Sequence, residues 1–160
     1  ASVDDDGGAS SDSVVVIIVG NEDEIRSAGH WTHQYRGNGK TDFTNDELEC
    51  QLAIVDFVST IFSEVRSAGT IAEAVDVLRG NGTSDMAELL DRQLLAALLN
   101  FVNGWIAWER LIDTDGDSVG DTAFSDVIAT AEAVRANPAS TLQELEAQKD
   151  LLEQINLGLT

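Results

Sequence analysis

Residues 94–108 read LLAALLNFVNGWIAW, and no other stretch narrows the available folds as far. A helix built from them is apolar on nearly every side, so it has no face to give to water and belongs at the centre of a bundle. The pattern predicts one helix over residues 84–112, interrupted in its apolar surface by Asn100, Asn103 and Gly104. Buried asparagines ordinarily serve backbone or neighbouring polar groups, and a glycine admits a second backbone close by.

Four further helices fit around it. Thr44 and Glu47 form a capping box ahead of Leu48, Leu52, Val55, Val58, Phe62 and Val65, one apolar stripe at three- and four-residue spacing that ends near residues 67–69. Thr70 and Glu73 repeat the box, with Ile71, Ala74, Val75 and Leu78 facing inward and Gly80 as the stop. A helix over residues 123–136 ends before Pro138. Thr141 and Glu144 open the last one, which buries Leu142, Leu145, Leu152 and Ile155 and reaches Asn156. There is no tandem repeat. The expected fold is mainly α, a five-helix bundle-like domain over residues 21–160 with a calcium loop at 113–121. Residues 1–20 are an acidic leader and an apolar strand. Residues 20–43 are Gly-rich, aromatic and irregular, with room for a short strand or helical turn.

The strand is Val14, Val15, Val16, Ile17, Ile18 and Val19, six β-branched residues in a row. It follows ASVDDDGGASSDS, the composition of a disordered segment. A strand apolar on both faces asks for cover on both, and unpaired backbone groups are costly once buried. A helical body offers no obvious sheet edge. The partner is therefore a strand from residues 25–43 or another molecule, and β-augmentation between copies is the expected assembly mode.

The charge bears on partners. There are 29 acids against 9 bases, a net charge of −20, and the only lysines are Lys40 and Lys149. Acid this dense disfavours nucleic acid and anionic membrane. It suits cations, high salt or an exposed extracellular surface. Cys50 is the single cysteine, so an internal disulfide is excluded. No run reaches the roughly 18 apolar residues of a membrane span. The chain opens on Ala1, as a processed secreted chain or a trimmed fragment does.

The chemistry lies in DTDGDSVGD. Asp113, Asp115, Asp117 and Asp121 take positions 1, 3, 5 and 9 of a calcium loop, and a main-chain carbonyl near Val119 adds a fifth oxygen. Like charges so close repel unless something neutralises them, and an all-oxygen set suits calcium over zinc or copper. Helices expected on both sides make it broadly like an EF-hand. Ser118 stands where the turn glycine is usual, and Phe124 where a bidentate Glu is usual, with Asp126 two residues later as a substitute. The loop is a shortened one, nearer the aspartate-rich loops of extracellular calcium repeats.

Other signals are weaker. GHWTHQY places His30 and His33 three apart, a zinc pair if Cys50 or Asp42 joins them; the aromatics around it point instead to a loop packed on the helices. Glu109 beside Trp108 is a lone acid without a mechanism, and no nucleophile elbow, P-loop or dinucleotide fingerprint is present. Asn81-Gly82-Thr83 is an N-glycosylation sequon.

In SAGHWTHQY, in LLAALLNFVNGWIAW with the following DTDGDSVGDTAFSDVI, and in AEAVRANPASTLQELEAQKDLLEQIN, the chain resembles a group of uncharacterised secreted or surface-attached prokaryotic domains. The likeness runs from about residue 27 onward and covers over half the chain. It implies secretion and a calcium loop at residues 113–121, and no known activity. Residues 1–20 fall outside it.

The expected function is that of an extracellular structural protein, calcium-stabilised and not an enzyme, that self-assembles through residues 14–19 into a filament or surface-layer-like array. Its partners are copies of itself and other surface proteins. One alternative is a calcium-binding terminal domain of a larger secreted surface protein. Another is a metal-dependent enzyme using the His30/His33 region.

Overall fold

The computed structural model describes residues 24–80 and 85–160. The fold is mainly α. The described residues form α1 (Ala28–Arg36), α2 (Asn45–Val58), a π turn (Ile61–Val65), α3 (Ile71–Arg79), α4 (Met86–Val102), β1 (Leu111–Ile112), β2 (Thr122–Ala123), α5 (Phe124–Ala136) and α6 (Leu142–Asn156). The predicted strand at residues 14–19 and the sequon at Asn81 lie outside the described residues.

The apolar stretch does form the centre. Helix α4 touches each of the other five α-helices, and Leu90, Leu94, Leu95, Leu98 and Leu99 are fully buried. Burial on every side is the environment its composition requires. Against it α2 lays Leu48, Leu52 and Val55, α3 lays Ala74, Val77 and Leu78, α5 lays Phe124, Val127 and Ile128, and α6 lays Leu152 and Ile155. The three capping boxes all form, each threonine hydroxyl accepting the N3 N–H while the N3 glutamate accepts the threonine N–H. Leu142, expected inside, is 73% exposed, because it occupies the first turn of α6 before that helix meets α4.

Three expectations on helix extent are corrected. The helix expected over residues 44–67 breaks at Ser59, which is extended (φ −113°, ψ 125°). The cause is tertiary. The buried Glu132 carboxylate on α5 accepts hydrogen bonds from the Ser59 hydroxyl at 2.5 Å and the Thr60 hydroxyl at 2.8 Å. The Ser59 Oγ also caps the following turn through the Phe62 N–H.

The helix expected to reach Ile112 ends at Val102. Gly104 takes φ 71°, a left-handed conformation that closes helices. The Asn103 amide donates to the Leu99 carbonyl at 2.8 Å, and the Trp105 N–H donates to the Asn100 carbonyl at 2.9 Å. Residues 103–110 are then a turn that brings Trp105 and Trp108 back onto the bundle.

The region expected to be irregular holds helix α1. Ser27 caps it by accepting the His30 N–H, and Gly37 ends it at φ 63°. Trp31 is fully buried, stacked on Trp105 at 5.2 Å and on Phe43 at 5.9 Å between ring centroids. GHWTHQY therefore packs on the core, as a helix and not as a loop.

Candidate functional site: the aspartate loop

The loop is anchored on two buried residues. Ile112 of β1 and Phe124 at the start of α5 are fully buried, and Phe124 meets Trp108 edge-on at 5.8 Å. Between them β1 and β2 pair antiparallel, Leu111 with Ala123 and Ile112 with Thr122. The Phe124 N–H extends the ladder to the Arg110 carbonyl at 2.8 Å. The incoming element is thus a strand. The helix–loop–helix expected here is corrected: α4 has already ended at the Gly104 turn, and the loop is a β-closed excursion ahead of α5.

Inside it, one oxygen each of Asp113, Asp115 and Asp117 lies within 4.8 Å of the other two, among the described residues the one such group of three potential metal ligands. Backbone amides set their directions. Asp113 accepts the Gly116 and Ser118 N–H groups, both at 2.7 Å. Asp115 accepts the Asp117 N–H at 3.1 Å, and Asp117 accepts the Val119 N–H at 2.8 Å. Each carboxylate oxygen has two lone pairs, so these bonds leave acceptor capacity for a cation. Ser118, at the sixth position, adopts φ 70°, the left-handed conformation that this place in a calcium loop requires and that glycine usually supplies.

The other expected ligands are placed differently. Asp121 stands outside that group of three; its Oδ1 accepts the Thr114 hydroxyl at 2.9 Å and the Thr122 hydroxyl at 2.8 Å. The Thr122 hydroxyl first, then that of Thr114, hold its carboxyl below the usual range. Val119 contributes its N–H to Asp117, with its side chain 62% exposed. Asp126 sits exposed in the first turn of α5. The sequence signal for Asp121's arrangement was the Thr at both ends, Thr114 and Thr122, whose hydroxyls meet at 3.2 Å. The loop faces α6 across an open cleft of about 520 Å³ lined by Asp113, Asp115, Ser118, Asp150 and Gln154. Lys149 pairs with Asp150, and with Glu153 at 3.1 Å.

Gly120 keeps the loop closed. A Cβ there would lie 2.7 Å from the Leu111 carbonyl oxygen and 2.9 Å from the Leu111 Cβ. Gly120→Ala is expected to push β1 off β2 and to cost about 1–3 kcal/mol, the usual range for overpacking against fixed atoms. Chemical denaturation would read the loss. An unchanged midpoint would mean that the strand pair yields freely.

Among the described residues, His30 and His33 join no group of three potential metal ligands. The His33 Nε2 lies 3.2 Å from the Lys40 carbonyl oxygen. His30 lies edge-on to Trp31 and Trp105, with its buried Nε2 lacking a hydrogen-bond partner. Burial and then the Arg26 charge keep its pKa below the ordinary value. Asp42 instead clasps the Gln34 side chain, accepting its amide at 2.8 Å and donating its N–H to Gln34 Oε1 at 2.8 Å. Cys50 and Glu109 are exposed. No described helix is long and apolar enough to cross a membrane. No family model, no curated protein and no solved structure matches the chain.

Proposed function

We propose that this chain is an extracellular structural protein whose helical body is stabilised by calcium and which associates with copies of itself through residues 14–19. The calcium part rests on one observation: three carboxylate oxygens held within 4.8 Å of one another on a surface loop. Charges that close repel, and a hard cation with oxygen ligands converts the repulsion into binding. Asp113, Asp115 and Asp117 would hold the ion. It would fix the excursion between β1 and α5 and so tie the Trp108 turn to the bundle. Calcium is plentiful outside cells, which is the setting the acidic surface also suits. The self-association part rests on the sequence of residues 14–19, uncharged and β-branched throughout.

Calcium at about a hundredfold its dissociation constant adds about 2.7 kcal/mol to stability. For a chain of this size that raises the melting temperature by about 5–10 °C. The experiment compares melting in excess calcium, excess magnesium and chelator, for the wild type and for Asp115→Asn. The expected result is a rise with calcium that Asp115→Asn abolishes. Identical melting in all three solutions would remove the calcium reading. A stable monomer by light scattering would favour the alternative of a calcium-binding terminal domain from a larger surface protein.

A further inference from the structure

We infer that the outward face of α2 is the surface on which residues 14–19 of a second copy dock. This inference rests on the self-association proposed above but names a helix face, in place of the strand edge that β-augmentation would use, as the surface that receives the arm; on that surface the arm's backbone edges stay open to water.

Helix α2 is apolar on two sides. Leu48, Leu52 and Val55 fill the core, yet Phe57 is 88% exposed and Ile54 42% exposed on the opposite side, with Val65 of the π turn 50% exposed. Cys50 and Ala53 are exposed on that same outward side, at the i, i+3, i+4, i+7 spacing that makes one helical stripe. Soluble domains rarely leave a phenylalanine so bare at the end of such a stripe. Among the described residues, the other large exposed apolar side chains, such as Leu111, Val119 and Leu142, sit on separate elements.

Charge selects the occupant. Exposed Glu49, Asp56 and Glu64 rim the stripe, and a chain with 29 acids and 9 bases has little basic surface to offer it. Residues 14–19 bring no charge and are apolar on both sides. Six extended residues span about 20 Å, enough to cover the roughly 10 Å of helix from Cys50 to Phe57 and reach the π turn.

The chain's own course favours a second copy over a fold-back. The first described residues are tied to the end of α4. The Arg26 N–H donates to Asn100 Oδ1 at 3.0 Å, the Arg26 carbonyl accepts from Asn100 Nδ2 at 2.8 Å, and the guanidinium lies over Trp105 at 5.6 Å. The buried side of α2 turns toward that same end, where Gln51 donates to Asn103 at 3.1 Å. The five residues from 19 to 24 reach at most about 17 Å, and a fold-back must use them to round a helix about 10 Å wide. An arm from a neighbour needs no such detour. Because both partners are strongly acidic, the contact is apolar and strengthens in sulfate salts, which screen the repulsion and favour burial.

Light scattering on the full chain, with and without added sodium sulfate, tests this. The wild type is expected above monomer mass, and higher with sulfate. Phe57→Lys and the pair Val16→Lys, Ile18→Lys should each give monomers with unchanged helix content. Mixed together, these two variants should form a one-to-one dimer and stop there, since one keeps the arm and the other the face. If Phe57→Lys keeps the wild-type mass while the arm variant is monomeric, the surface is wrong and self-association stands. If the wild type is a monomer, self-association itself fails, and this inference with it.

Discussion

Replacing Asn100 with alanine is expected to cost about 3–5 kcal/mol, enough to remove much of the stability of a domain this size. Asn100 is 1% exposed on α4 and uses both ends of its amide. Its Oδ1 accepts from the Arg26 N–H and from the Trp31 indole at 3.2 Å, while its Nδ2 donates to the Arg26 carbonyl and to Asn156 Oδ1 at 3.1 Å. Asn156 in turn donates to the Gln93 carbonyl at 3.0 Å and to Gln93 Oε1 at 3.1 Å. One side chain thus fixes the lead-in to α1, the rotation of Trp31 and the end of α6. Alanine leaves a buried indole N–H and a buried amide oxygen unpaired, and each such group costs about 1–3 kcal/mol. Asn100→Asp keeps the volume but sets an acceptor against two acceptors, so it should be no better. Asn103→Ala is the control: that residue is only half-buried and should cost about 1 kcal/mol. The test is the urea midpoint of each variant. A loss under about 1 kcal/mol for Asn100→Ala would mean that water replaces the amide.

That asparagine illustrates what the sequence could convey. Its role as a buried polar group serving backbone and neighbours was readable, because an asparagine inside an apolar helix has few other uses. Its partners were not, since Arg26 and Asn156 lie 74 and 56 residues away. The same division runs through the fold. Thr44, Thr70 and Thr141 announce helix starts because a capping box is a local device, complete within four residues. The break at Ser59 depends on Glu132 from α5, which no local pattern reveals. The break at Asn103 and Gly104 did carry a local sign, an Asn-Gly pair, hidden within an apolar run that reads as continuous helix. Helix α1 was obscured by its flanking glycines. Yet Ser27 and Gly37 are its caps, and Ala28, Trp31 and Tyr35 its inward residues at helical spacing.

In the aspartate loop, alternation of acids was enough to foresee that Asp113, Asp115 and Asp117 converge, because residues two apart in a tight turn share a side. It was not enough for Asp121, whose position follows from the β1–β2 pairing and the two threonine hydroxyls beside it. The strand pairing depends in turn on α4 stopping ten residues early, at Val102 rather than Ile112. One misjudged helix end therefore changed the apparent class of the loop while leaving its three central carboxylates in place.

Removing Arg135 should be nearly as damaging as removing Asn100, and its cost should depend on pH. Arg135 of α5 donates from Nε to Asp91 Oδ1 at 2.6 Å and from Nη2 to Asp91 Oδ2 at 2.9 Å. The arginine side chain keeps 19% exposure and the aspartate side chain 2%. Burial holds the Asp91 carboxyl above its ordinary value even with Arg135 beside it, whereas the bond to Asp91 raises the Arg135 pKa. Solvent still reaches the arginine, so burial of the carboxylate governs the pair. Arg135→Met strands that carboxylate, and breaking a buried pair in this way costs about 3–5 kcal/mol near neutral pH. A carboxyl whose folded pKa lies above its unfolded value binds its proton more tightly in the native state. The stability of Arg135→Met is then greatest below the unfolded value of about 3.8 and falls as pH rises through the higher folded value. The wild type follows the same direction less steeply. Urea midpoints of both proteins near neutral pH and at about pH 4 should therefore converge at the lower pH. An equal deficit at both would mean that the loss is packing and not charge. Adding Asp91→Leu to Arg135→Met separates the two further. It removes the stranded charge, and the double variant should recover most of what the single one lost.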